Sequence, residues 1–205
     1  MKYSATLLVL ALTGCQANDQ AVTNVGTPNT APDSTAITKA PLYSSIKGPA
    51  QAAYDFLTWY KNNQESVGSM SLVDNADGQS TSKYYAVDFG ATEEYLDQIN
   101  RSGLVSKSYL AKWEKYFQQQ DDSLQRHPQN DGPPSGFESD LVTHSQEPEV
   151  YLANPRNAKQ RTELITPNRA VVRLDFTTQQ EYPDYRFFYV SRINSRWLID
   201  SIAVD

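Results

Sequence analysis

The chain has 205 residues, 24 acidic against 18 basic side chains and a net charge of −6. Such a balance does not suit a nucleic-acid partner or adsorption to anionic headgroups, both of which need clustered cations. One cysteine allows no internal disulfide and no cysteine metal site, and two histidines without a partner at ligand spacing make zinc an unexpected guest.

Met1–Leu12 holds one charge, Lys2, and an apolar run from Ala5 to Leu12, too short to span a bilayer. It ends in Leu12-Thr13-Gly14-Cys15, and a basic start, a greasy centre and small residues before a cut make a secretory leader. The segment resembles a bacterial lipoprotein signal, whose lipobox is Leu-small-Gly-Cys. That resemblance implies cleavage after Gly14, diacylation of the Cys15 sulfur and acylation of its new N-terminus. It places the chain in the cell envelope. Gln16, standing where an Asp would retain the protein at the inner membrane, points to the outer membrane facing the periplasm. Two or more acyl chains hold a protein stably on a bilayer, where one does not. Loss of Lys2 with the leader leaves a net charge near −7. That charge suits a cationic protein partner, such as a hydrolase to be inhibited.

Residues 15–48 carry the lipid site and then a stretch rich in Thr, Asn, Ala, Pro and Ser, whose few apolar residues show no period. Such a stretch buries too little surface to offset its ordering entropy, and it reads as a disordered tether. Its mean span would be on the order of 30 Å. Residues 49–205 read as a single domain, of a length that suits one core.

Within the domain the spacing of Ala53, Phe56, Leu57 and Tyr60 predicts a helix over 49–63, started by Pro49 and widened by Trp59. Asp74–Gly78 reads as an Asp-Gly turn, because a calcium loop would need a ligand at its third position and a closing Glu. Tyr84–Phe89 is predicted extended. Thr92 is the expected cap of a second helix, with Glu93 and Glu94 in its first turn, Tyr95, Leu96 and Ile99 on its buried face and Gly103 at its stop. Ser106 or Ser108 caps a third, whose stripe is Tyr109, Leu110, Trp113, Tyr116, Phe117 and Leu124. A long loop follows, Arg126 to Ser139, with Phe137 able to anchor it.

The period then changes to two. Leu141–His144, Glu163–Ile165, Ala170–Thr178, Tyr185–Ile193 and Arg196–Val204 are predicted strands, with turns at Tyr182–Asp184 and Asn194-Ser195. Val172, Leu174 and Phe176 face one side of their strand, and Arg173, Asp175 and Thr177 the other. Helices first and a meander second predict an α+β fold with N-terminal helices on a curved antiparallel sheet.

Phe56–Tyr60, Tyr84–Phe89, Ser102–Ser106, the Asn130–Pro134 loop leading to Asp140-Leu141-Val142, and the closing Arg196–Asp200 resemble, over most of 49–205, a family of bacterial envelope lipoproteins. Their fold is the cystatin-like, nuclear-transport-factor-2-like cone. The resemblance implies a fold and a location and carries no catalytic residues with it.

A cone of this kind can hold a pocket, and some enzymes on the fold place an Asp base and Tyr donors there. The polar candidates are Asp88, Asp140, His144, Asp175 and Asp200, with Tyr60, Tyr85 and Tyr189 as donors. Asp175 is expected in a surface cross-strand ion pair, Asp200 in a pair with Arg196 or Arg192, and His144 as a solvated strand end. No Gly-rich phosphate loop or Gly-x-Ser-x-Gly is present, so no cofactor and no catalytic residue is assigned and Cys15 is the one named site. The reading is a lipid-anchored, non-catalytic module that binds another envelope protein or a small apolar ligand. The alternative is an isomerase- or hydrolase-type enzyme using a pocket Asp with Tyr donors.

Overall fold

The computed structural model describes residues 48–74, 83–177 and 183–205. The leader, Cys15 and the linker up to Lys47 lie outside them, as do residues 75–78 of the Asp-Gly turn, Thr178 and Tyr182. The chain divides into units Met1–Leu42 and Tyr43–Asp205, and every described residue belongs to the second.

Helix α1 spans Pro49–Val67 and buries Ala53, Phe56, Leu57 and Tyr60, the face that the spacing predicts. It runs one turn further than expected because Val67 is itself core. It closes where the Gly68 N–H reaches Gln64 O at 2.8 Å. A Cβ on Gly68 would sit 2.8 Å from Tyr60 Oη, so this position excludes a side chain by steric contact.

The predicted strand Tyr84–Phe89 shrinks to β2 (Ala86–Val87), paired with β1 (Val73–Asp74). Its end is cut short because Asp88 turns the chain: the carboxylate accepts the Ala91 N–H at 2.9 Å and caps α2 (Phe89–Arg101). Thr92 is therefore not the cap. It lies buried inside the helix with its hydroxyl on Phe89 O, and Glu93 and Glu94 fall beyond the first turn. Tyr95, Leu96 and Ile99 are buried as expected, and Gly103, at φ +64°, takes the left-handed conformation that follows the helix end. Ser106 caps α3 (Lys107–Arg126). Of its stripe Tyr109, Phe117 and Leu124 are buried, while Leu110, Trp113 and Tyr116 are half-buried. The long loop begins after Arg126, which is still helical. It is anchored as its sequence suggests, with Phe137 stacked on Phe117 at 6.3 Å and 9°.

Leu141–His144 is not a strand. Asp140 folds it into a turn by accepting the N–H groups of Val142 and Thr143, and His144 takes a left-handed φ of 53°. The short helix α4 (Pro148–Leu152) and a 3₁₀ turn (Pro155–Asn157) follow; elements of five and three residues are too short to show a period.

Four antiparallel strands complete the domain in the order β3 (Lys159–Thr166), β4 (Arg169–Asp175), β5 (Tyr185–Ile193), β6 (Arg196–Val204). β3 is longer than the expected Glu163–Ile165, and β4 ends at Asp175. The last two strands and the Asn194-Ser195 turn, with φ of 49° and 64°, fall where alternation and turn chemistry put them. The fold is thus α+β, helices followed by an antiparallel sheet. Helix α1 lies on the inner sheet face and touches all four strands, over a core that includes Phe56, Val172, Leu174, Phe188 and Ile199.

One irregularity positions the site. Between β5 and β6 the register slips, with Tyr189 opposite Ser201 but Val190 opposite Ile199. Asp200 is the extra residue, and a bulge of this kind re-aims a side chain out of the regular alternation.

Candidate functional site

A cleft of about 380 Å³ opens between α3, the 136–144 segment and the end of β6. Helix α3 supplies Tyr109, Lys112, Trp113 and Tyr116 at helical spacing, so that all four share one face. The turn supplies Glu138, Asp140 and His144, and the bulged strand Asp200. Trp113 and Tyr116 meet edge to face, 5.1 Å apart at 80°, and the imidazole of His144 lies near-parallel to the indole at 6.3 Å and 20°. The Tyr116 hydroxyl donates to Gly136 O at 2.6 Å, which fixes the ring. A second cavity, of about 240 Å³, lies beside Tyr60, Gly68 and Tyr95 and shares Ser139, Asp140 and Leu141 with the first.

Of the eight polar candidates, three converge. Tyr60 donates a short hydrogen bond to Asp140 Oδ2, and His144 sits four residues on in the same turn with its N–H on Asp140 O at 2.8 Å. Asp200 lies elsewhere on the cleft wall. Its Oδ1 accepts the hydroxyls of Ser106 at 2.5 Å, Ser108 at 3.0 Å and Ser191 at 3.0 Å. The expected pairing with Arg196 or Arg192 is not made: Arg196 instead donates to Gly103 O at 2.9 Å. Two of the three serines come from the start of α3, more than ninety residues away in sequence, and no local pattern announces them.

The remaining candidates are dispersed. Asp88 is a helix cap and Tyr85 donates to Gly132 O at 3.0 Å. Tyr189 is exposed on the outer sheet face. Asp175 stands opposite Lys159 but makes no ion pair within 4.0 Å among the described residues, because its carboxylate turns to the Thr177 N–H at 2.9 Å. Hydrogen bonds from Thr177 hold its carboxyl below the usual range, with Lys159 and Arg173 adding less.

Asp140 is already engaged through both oxygens. Oδ1 accepts from Val142 N at 3.1 Å, Thr143 N at 2.6 Å and Thr143 Oγ1 at 2.7 Å, while Oδ2 takes Tyr60. A carboxylate offers about four lone-pair sites, two on each oxygen, so three donors crowd Oδ1 while Oδ2 keeps one site beside Tyr60. Burial, and then the neighbouring Asp140 charge, holds the Tyr60 phenol far above its ordinary pKa, so it remains a donor. Burial and the Arg186 guanidinium lower the pKa of His144, against smaller opposing effects of Asp140 and the Ile202 backbone; at neutral pH the ring is uncharged.

Two buried polar atoms of residues that line the cleft lack partners among the described residues. The Tyr109 hydroxyl is buried in a residue only 1% exposed, with the Trp113 indole N–H near it but outside hydrogen-bond geometry. The Nε2 of His144 is buried and unpaired as well. Burial raises the Tyr109 phenol, the indole opposing and Asp140 assisting. The sequence marked Tyr109 and Trp113 as packing residues, and nothing in their spacing separates a wall of a cleft from a wall of a core.

Among the described residues no three His, Cys, Asp or Glu side chains gather to hold a metal ion, and no helix is long and apolar enough to cross a membrane. Comparison with protein-family models, curated proteins and solved structures finds no match, so class and function rest on the geometry and the sequence.

Proposed function

We propose that the chain is a lipid-anchored envelope protein, held through Cys15 at the outer membrane on its periplasmic side. In this reading its cystatin-like cone is a non-catalytic module, and the α3 cleft takes a small ligand with an apolar body. The observation that carries the binding reading is the cleft itself, with two buried polar atoms, Tyr109 Oη and His144 Nε2, unpaired at its wall. Buried polar groups without partners are costly, and a ligand that bonded to them would recover that cost. The lipobox residues Leu12–Cys15 and the polar stretch behind them support the anchor. The order of helices and meander, with α1 across the inner sheet face, supports the cone.

The enzyme alternative has one observation in its favour, the bond between Tyr60 and Asp140. It asks Asp140 to accept a proton from a substrate while four donors of the fold already bond to its two oxygens. The binding module needs no such release.

Two experiments test the proposal. Titration of the isotope-labelled full chain with 1-naphthalenemethanol should shift the Trp113 indole resonance, assigned with Trp113→Phe, together with amides of Lys112, His144 and Ser201. Shifts scattered elsewhere, or none, would overturn the cleft. For the anchor, Cys15→Ser should abolish the acyl mass and move the protein out of the membrane fraction. Unchanged processing and fractionation would refute lipidation.

A further inference from the structure

Resting on the cleft reading, we infer that the ligand carries a protonated amine on its apolar body. The cleft wall carries more carboxylates than cations. Glu138, Asp140 and Asp200 line it against one cation, Lys112. Asp140 has partners on both oxygens, but the other two do not. Asp200 gathers three serine hydroxyls on Oδ1 and leaves Oδ2 without a partner among the described residues. Glu138 spends Oε2 on the Gly136 N–H at 2.7 Å and leaves Oε1 likewise. The three hydroxyls fix the Asp200 carboxylate in place, so an incoming N–H group meets an oriented acceptor with little further loss of side-chain entropy.

The aromatic residues point the same way. Trp113 and Tyr116 stand at 80° to one another, and neither ring is free to turn, Tyr116 being tied to Gly136 O and Trp113 resting against Phe117 at 5.8 Å. Aromatic rings attract cations through their quadrupole, and Trp113 and Tyr116 both line the cleft. The imidazole of His144, packed against Trp113 and uncharged, adds an unpaired ring nitrogen and no competing positive charge. A carboxylate ligand would meet three like charges here, and a neutral ligand would leave the Asp200 and Glu138 oxygens to water.

Three probes of one shape separate the charge from the cleft: 1-naphthylmethylamine, 1-naphthalenemethanol and 1-naphthoate, each titrated into the full chain and read at the Trp113 indole resonance. The amine should bind at least tenfold tighter than the alcohol, and the naphthoate weakest. In Asp200→Asn, which keeps a carbonyl oxygen for the three serines, the amine should fall to within about threefold of the alcohol measured on the same variant. Equal binding of amine and alcohol, or a preference for naphthoate, overturns the ammonium inference and leaves the cleft reading standing. Absence of binding by all three overturns both.

Discussion

Asp140→Ala should cost roughly 3–5 kcal/mol of stability in urea at neutral pH, more than any exposed substitution in the domain. The reason lies in what the side chain leaves behind. Tyr60 and Thr143 are each 1% exposed, so three donors (the Tyr60 hydroxyl, the Thr143 N–H and the Thr143 hydroxyl) would be stranded in the interior. Each buried group left unpaired costs about 1–3 kcal/mol, and the Val142 N–H adds to them. Asp140→Asn keeps one carbonyl oxygen for the turn and should lose less. A double-mutant cycle isolates the long-range link. Tyr60→Phe alone should cost about 1 kcal/mol, and Asp140→Ala made in that background should cost less than it does in the wild type, since the phenol is no longer there to be stranded. A loss under about 1 kcal/mol for Asp140→Ala would show that water replaces the carboxylate and that the turn is held by something else.

The asymmetry between what could and could not be read ahead follows from sequence distance. β5 and β6 were legible to the residue because alternation, flanking turn residues and burial agree there. The faces of α1 and α3 were legible for the same reason, through i, i+3 and i, i+4 spacing. Asp88 took the cap from Thr92 because both residues make good caps, and the choice fell to β2, whose pairing with β1 ends the extended chain one residue before Asp88. Leu141–His144 has the look of a strand, yet Asp140 with Thr143 three residues later is also the pattern of a side chain that folds back on its own backbone. That signal was present and was outvoted by two apolar residues. The cleft had no local signal at all. Tyr60 reaches Asp140 across eighty positions and Ser106 reaches Asp200 across ninety-four, so individual candidates could be named while their convergence could not. The bulge that aims Asp200 is likewise a property of paired strands, invisible in either alone.

Arg186→Ala should be of comparable severity, about 3–5 kcal/mol, although its sequence neighbours give it the look of an ordinary strand residue. Arg186 stands on the inner face of β5, opposite Leu174, with 6% of its surface exposed. Three donations hold it: Nε to Thr143 O at 2.6 Å, and Nη1 to Asp184 Oδ1 at 2.5 Å and Tyr185 O at 3.1 Å. Its guanidinium lies 4.1 Å from the centre of the Tyr151 ring, whose hydroxyl donates to Asp184 Oδ2 at 2.8 Å. A planar fork is required here, so Arg186→Lys should lose about 2 kcal/mol and not behave as a conservative change. Arg186→Met, which fills the space without a charge to satisfy, should be milder than Asp184→Ala, which strands the buried cation; the partial exposure of Asp184 moderates that penalty through water. The same substitution supplies a reading that simple loss of packing would not give. Arg186 is one of the two causes that depress the pKa of His144, so in Arg186→Met the imidazole should titrate at higher pH than in the wild type, by NMR of the ring protons. In the wild type the unfolded imidazole takes its proton at about pH 6.5 and the folded one only below that. Stability is therefore drawn down as the pH falls through this window, and Arg186→Met should show a shallower decline over it. An unchanged His144 titration would place the guanidinium too far from the turn, or too well neutralised by Asp184, for the strand to tune the cleft.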